Sequence, residues 1–141
     1  MKFNIIILLL AIILSFSDTA ELKLVVRNIY PLEGKLYIAI YDNKDNFLNL
    51  DSVAYWKIAS VEKETEIISI PEIKTGNYAV SIFHDLNGNG KLDASTIGIP
   101  KEPYGFSNDA RGRFGPPKFK DATFRLDGDM EIHIKMANND K

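Results

Sequence analysis

One stretch of the chain, Asp85–Asp93, carries side chains whose types and spacing could bind a metal ion. It reads DLNGNGKLD, with Asp85, Asn87 and Asn89 at alternate positions and Gly90 directly after them. Hard cations prefer oxygen ligands, and oxygens on alternate residues of a sharply curved loop can surround one ion. The pattern therefore predicts a Ca²⁺ site. Its predicted ligands are the side chains of Asp85, Asn87, Asn89 and Asp93 and the backbone carbonyl of Lys91.

The second half of this loop departs from the calcium pattern. Position 12 is Thr96, where a bidentate Glu is usual, so another ligand would have to come from Glu102, Asp109 or Asp121. With so few carboxylates in the loop we expect weak binding, with a Kd of about 10⁻⁴–10⁻³ M. A metal-free turn is the alternative, because Asn and Gly tolerate positive φ and Asn can hydrogen-bond the nearby backbone.

His84, which directly precedes the loop, raises the question of catalysis. Adjacent residues on a strand point to opposite faces, so His84 and Asp85 are badly placed to act as an acid–base pair. The sequence contains neither a G-x-S-x-G motif nor a cysteine, and the only other histidine, His133, is expected to face solvent. Two separated histidines give no zinc signature. We therefore expect His84 to bond the loop backbone and the protein not to be an enzyme.

A segment rich in Gly, Pro and aromatic residues, 97–119, follows the loop. Connections of this length in compact domains are usually functional or held by their own side chains. Arg111 and Arg113 could bind a carboxylate or phosphate, or lie at the surface in ion pairs or in water. The aromatic residues Tyr104, Phe106, Phe114 and Phe119 could line a ligand pocket or cover one end of the fold.

These observations leave three functional hypotheses. The first is a binding or accessory module whose calcium loop orders the segment after it, with an envelope protein or a small molecule as partner. The alternative is a small-molecule binder or enzyme that uses His84 and Asp85 with the two arginines. The third is a purely structural domain whose loop only braces the chain. The candidate ligand or partner contacts are His84, Tyr104, Phe106, Arg111 and Arg113.

Short alternating apolar patterns separated by turns predict the elements that position the loop. They occur at residues 22–26, 36–40, 68–70, 78–82, 122–126 and 130–136. The second is apolar on both faces and is therefore predicted to be central. Asp127-Gly128 predicts a hairpin between the last two, a short helix is weakly indicated at 53–57, and Trp56 is predicted to lie in the core. Together these patterns indicate an all-β, antiparallel β-sandwich.

The N-terminus has the form of a secretory signal. Met1-Lys2 precedes an apolar run at residues 3–14, and small residues permit cleavage after Ser17 or Ala20. The run is short for a membrane span, which needs ~20 residues. We expect residues 1–17 to be a signal peptide and 18–141 one domain, either periplasmic or secreted, with no membrane span after signal removal.

Charge and cysteine content narrow the partners further. Removing Lys2 from the 17 basic residues leaves 16 against 19 acidic ones, a net charge of about −3. This mild acidity argues against nucleic acid, which requires a clustered basic face. Without cysteine, no disulfide can support the fold of an exported protein.

The run from Gly76 to Phe124 carries a resemblance to a known family. It fits GxYAVxxFHDxNxNGKLDxxxxGxPKExYGFSNxxxGxFGPPxFxDAxF, which resembles bacterial domain-of-unknown-function family 2141. The resemblance implies export from a bacterial cell and an immunoglobulin-like or prealbumin-like β-sandwich with one long Gly/Pro/aromatic loop. It implies no particular activity.

Overall fold

Alternating apolar and polar residues produce eight strands in the part of the chain that the computed structural model describes, residues 18–137. The predicted signal peptide, residues 1–17, lies outside these residues. The strands are β1 (Thr19–Arg27), β2 (Lys35–Tyr41), β3 (Tyr55–Ser60), β4 (Glu66–Lys74), β5 (Gly76–Asp85), β6 (Tyr104–Phe106), β7 (Phe124–Leu126) and β8 (Met130–Lys135). One short helix, α1 (Phe119–Ala122), and two 3₁₀ turns, Leu50–Ser52 and Ser107–Asp109, complete the elements.

The strands form two sheets. One has the order β4-β1-β8, the other the order β3-β2-β5-β6, and β7 pairs with the beginning of β5. All pairs are antiparallel except β1–β8, which is parallel. The predicted all-β sandwich is confirmed, as is the central position of β2. Assignment to the immunoglobulin-like or prealbumin-like class stays a prediction.

The core lies between the inner faces of the two sheets. Period-two alternation supplies it, because every second side chain of a strand points to the same face. The main contributors are Leu22, Leu24 and Val26 of β1, Leu36, Ile38 and Ile40 of β2, Ile68 and Ile70 of β4, and Tyr78, Val80 and Ile82 of β5. The outer face of the five-stranded sheet therefore carries the intervening residues of β2 and β5.

The segment around Trp56 differs from the prediction. Residues 55–60 form β3 rather than a helix, and Trp56 is 69% exposed rather than buried. Tyr55 and Ala59 pack against the core, so the alternation of the strand places Trp56 on the outer face. The size of the indole ring favoured a core position, but strand register decides which face it takes.

The predicted Asp127-Gly128 hairpin is also wrong. The turn is present, but β7 pairs with β5 and β8 pairs with β1, so the turn connects two sheets rather than two neighbouring strands. Ala122, predicted to begin the first of these strands, ends α1 instead. A turn sequence specifies local backbone curvature and does not specify the partner of the strands that flank it.

The segment at residues 97–119 is more regular than predicted. It contains β6, which pairs with residues 81–83 of β5 and is too short to show an alternating pattern. Tyr104, Phe106 and Phe119 join a small cluster on the outer face of the sheet. Phe114, expected to join them, is 94% exposed.

Substitution of Gly34 tests how closely the turn before β2 approaches the end of β5. A Cβ at Gly34 would lie 2.3 Å from the backbone carbonyl oxygen of Asp85, whereas nothing lies within 4 Å of a Cβ at Gly88. Gly88 is a matched control because the two φ angles are +76° and +75°. We expect Gly88→Ala to lower the free energy of unfolding by about 1–2 kcal/mol, the cost of the left-handed backbone.

Gly34→Ala should cost about 1–3 kcal/mol more than this, since it adds a steric clash. Urea unfolding in chelator measures both variants. Equal losses in the two would contradict the close approach of the turn to the strand.

Candidate functional site

The carboxylate of Asp85 shapes the predicted calcium loop. β5 carries Asp85 to the end of the sheet, where the residue is only 1% exposed. Its Oδ1 accepts a hydrogen bond from the Gly88 N–H at 2.7 Å, and its Oδ2 accepts one from the Gly90 N–H at 2.8 Å. A buried carboxylate is tolerated only when it is hydrogen-bonded. The two bonds satisfy Asp85 and curve the loop back toward its own beginning.

The side chains of Asn87, Asn89 and Asp93 converge inside this curve. The Nδ2 of Asn87 lies 2.5 Å from Oδ2 of Asp93, and the Nδ2 of Asn89 lies 3.0 Å from the same oxygen. The amide oxygens accept from the backbone, Asn87 from the Asn89 N–H at 3.1 Å and Asn89 from the Lys91 N–H at 2.9 Å. Rotating each side-chain amide by 180° would turn its oxygen toward the place that its nitrogen now faces, next to the Asp93 carboxylate.

Glu102 closes the loop from the other side. It is 5% exposed, and its carboxylate accepts from the Leu86 N–H at 2.9 Å and from the Asp93 N–H at 3.0 Å. Of the three acidic residues considered as an extra ligand, Glu102 is the one hydrogen-bonded to the loop. Asp109 accepts instead from the Lys135 N–H at 2.7 Å, and Asp121 lies in α1.

The oxygen ligands that the loop offers, of which few are carboxylates, are of the type that hard cations prefer. Within residues 18–137 no group of three or more His, Cys, Asp or Glu side chains is arranged to hold a metal. An ion in the loop would be bound by the carboxylates of Asp85 and Asp93, with amide and carbonyl oxygens for the remainder. Such ligands are typical of weak Ca²⁺ sites.

His84 anchors a neighbouring turn. The side chain is fully buried and its Nε2 donates to the backbone carbonyl of Glu33 at 2.5 Å, while its Nδ1 has no hydrogen-bond partner in the described part of the chain. The expected bond to the loop backbone is therefore replaced by one to the turn before β2. His133 is exposed, as predicted, and its Nε2 lies 3.0 Å from a carboxylate oxygen of Glu131.

A cavity lies over the outer face of the five-stranded sheet, beside the loop. It has a volume of about 580 Å³, and its floor includes residues of β2, β5 and β6. Strand register places outward side chains in two rows across the four strands. The rows are Ile58, Tyr37, Phe83 and Tyr104, and Trp56, Ala39, Ser81 and Phe106. The rings of Tyr37 and Phe83 stack with centroids 5.0 Å apart.

The structure brings some of the predicted contacts to this cavity and leaves others away from it. Tyr104, Phe106 and Arg113 line it. Arg111 is exposed and does not line it. His84 and Asp85 line neither this cavity nor a smaller one beside Trp56. The residues of the alternative hypothesis are therefore not gathered around one opening.

Tyr41 is a cavity residue that the sequence reasoning missed. It is fully buried, it lines the cavity, and its hydroxyl forms no hydrogen bond of normal geometry within residues 18–137. Burial raises the pKa of Tyr41 above its ordinary value, and the nearby Ser81 hydroxyl opposes part of the rise without forming a bond of normal geometry. The alternation of β2 places Tyr41 on the outer face, but it gives no sign that the hydroxyl lacks a partner.

Comparison with known proteins identifies the family. Residues 24–134 match the family model described as "Uncharacterized protein conserved in bacteria (DUF2141)". The chain belongs to DUF2141. The match runs from β1 to β8, so the DUF2141 region includes both sheets, the Asp85–Asp93 loop and the cavity. No curated protein and no solved structure shows significant similarity to this DUF2141 chain.

The described part of this DUF2141 member, residues 18–137, has no helix with the length and apolar character required to cross a membrane. Its one α-helix, α1, has four residues.

Replacement of Glu102 tests its role in closing the loop. Glu102→Ala leaves the Leu86 and Asp93 N–H groups without their acceptor, so we expect a loss of about 2–3 kcal/mol in the free energy of unfolding. Glu102→Gln keeps one carbonyl acceptor and should lose about half as much. The exposed Glu131→Ala is the control and should change the free energy by less than about 0.5 kcal/mol.

Urea unfolding in chelator measures all three variants without interference from metal. A loss in Glu102→Ala no larger than that of the control would show that Glu102 does not support the loop.

Proposed function

We propose that this DUF2141 protein is a non-enzymatic module exported to the bacterial envelope, that its Asp85–Asp93 loop binds Ca²⁺, and that the ion holds the next segment over the outer sheet face. The proposal rests mainly on the convergence of Asn87 and Asn89 on the Asp93 carboxylate, within 2.5–3.1 Å. Three polar side chains of one loop meet at one point, which is what coordination of a small ion requires. The apolar run after Met1-Lys2 supports export.

The loop is connected directly to a wall of the cavity. The Asp93 carbonyl accepts from the Lys101 N–H at 2.7 Å, and residues 94 and 100 form a β-bridge. The chain between them includes Ile97 and Ile99, which line the cavity. An ion that fixes Asp93 would therefore also restrict the position of this wall, which links metal binding to a binding surface.

The surroundings of His84 support a binding role over catalysis. Its Nε2 is occupied by the Glu33 carbonyl, and the side chain is fully buried away from both cavities. A general base must come within hydrogen-bond reach of a substrate, and His84 has no open path to one. Arg113, in contrast, lines the larger cavity. Of the two parts of the alternative hypothesis, this favours small-molecule binding over enzymatic activity.

Thermal unfolding of the mature protein tests calcium binding. Because Ca²⁺ would bind the folded loop and not the unfolded chain, a concentration of ten times Kd should stabilise the protein by about 1.4 kcal/mol. We expect a midpoint several degrees higher in about 10 mM calcium than in chelator. Asp93→Asn, which removes one charge and keeps an acceptor, should lose most of this shift.

Asp127→Asn is the matched control. It makes the same chemical change in the turn after β7, whose Leu126 pairs with Gly76 at the opposite end of β5 from the loop. This variant should keep the full calcium shift. An unchanged midpoint in the unmodified protein up to about 10 mM calcium, or equal loss of the shift in both variants, would refute the calcium site.

A further inference from the structure

The cavity over the outer sheet face has the size and lining of a ligand site. Its volume of about 580 Å³ falls within the range of roughly 300–1,000 Å³ found for small-molecule pockets. The sheet supplies an aromatic floor with Phe83, Tyr104 and Phe106, and the segment after the loop supplies Ile97 and Ile99. A large apolar surface with few polar groups matches ligands with an apolar body.

The apolar walls of this cavity are themselves incompletely covered. Ile97 is 78% exposed and Ile99 is 57% exposed. Leu50 and Leu92, which also line the cavity, are 56% and 39% exposed. Side chains of this type around a concave opening would bury apolar area when a ligand binds.

The charge on the lining of the cavity is positive. Among its lining residues in the described chain, Arg113 is the only one with a charged side chain. The guanidinium carbon lies 5.4 Å from the centroid of the Phe114 ring, and no carboxylate forms a salt bridge with it among residues 18–137. An arginine with its fork of donors free is suited to a carboxylate.

We propose that the cavity binds a small monocarboxylate with an apolar body and that Arg113 pairs with its carboxylate. This inference rests on the proposed role as a binding module and identifies the class of ligand. It does not depend on whether the loop holds calcium.

Isothermal titration of the mature protein with two probe acids tests the proposal. The probes are decanoate and naphthalene-2-carboxylate, and their neutral amides, decanamide and naphthalene-2-carboxamide, are the matched ligands without charge. We expect at least one acid to bind saturably and roughly tenfold more tightly than its amide, as a charge-assisted hydrogen bond predicts. Titrations in calcium and in chelator separate this result from the behaviour of the loop.

Two variants connect the affinity to Arg113. Arg113→Gln should weaken acid binding roughly tenfold and leave amide binding unchanged. Arg111→Gln is the matched control, because it removes the same charge two residues earlier in the chain and Arg111 does not line the cavity. This variant should bind the acid as tightly as the unmodified protein does.

The outcomes are separable. The proposal is overturned if neither acid binds saturably to the folded protein. It is also overturned if Arg113→Gln and Arg111→Gln weaken acid binding equally. Binding of acid and amide with equal affinity overturns the anionic ligand while retaining a binding role for the module. A missing calcium shift together with selective acid binding would overturn the calcium loop and support the ligand site.

Discussion

The buried carboxylates of Asp85 and Glu102 each accept two backbone N–H groups of the loop, and the geometry of this end of the sandwich depends on those four bonds. A carboxylate removed from water requires hydrogen bonds, and a tight loop requires acceptors for its inward N–H groups. The carboxylates and the N–H groups therefore satisfy each other. The loop therefore has a defined shape even before any ion is considered, and the positions of Asn87, Asn89 and Asp93 follow from it.

The same end of the fold is tied to the turn before β2. The Nε2 of His84 donates to Glu33, and Gly34 lies against the carbonyl of Asp85 with no room for a side chain. Consecutive residues of one strand thus perform different tasks because alternation sends them to different faces. His84 points inward and fastens the turn, whereas Asp85 points outward and shapes the loop.

The outer face of the five-stranded sheet is apolar beside the loop. On most two-layer sandwiches the outer face of a sheet is polar, but here β2, β5 and β6 place Tyr37, Phe83 and Phe106 on it. Residues 92–100 leave the loop and return to it through the Asp93–Lys101 hydrogen bond, forming one wall of the cavity on the way. The Asp85–Asp93 loop and one wall of the cavity are therefore built from one continuous segment.

The sequence by itself determined the strand content and the position of the loop. Alternating patterns identified β1, β2 and β5, and the run Gly76–Phe124 was sufficient to indicate the family. It also placed Asp85, Asn87, Asn89 and Asp93 in one tight turn. These features depend on residues close together in the chain, which is why local rules predict them.

Only the tertiary structure decided how these elements meet. It placed Trp56 outside because strand register, rather than ring size, sets the face, and it sent β7 and β8 to different sheets because a turn does not choose strand partners. It brought Glu102 to the loop and placed Arg113 among the residues that line the cavity. Each of these depends on contacts between residues distant in sequence, which no local pattern encodes.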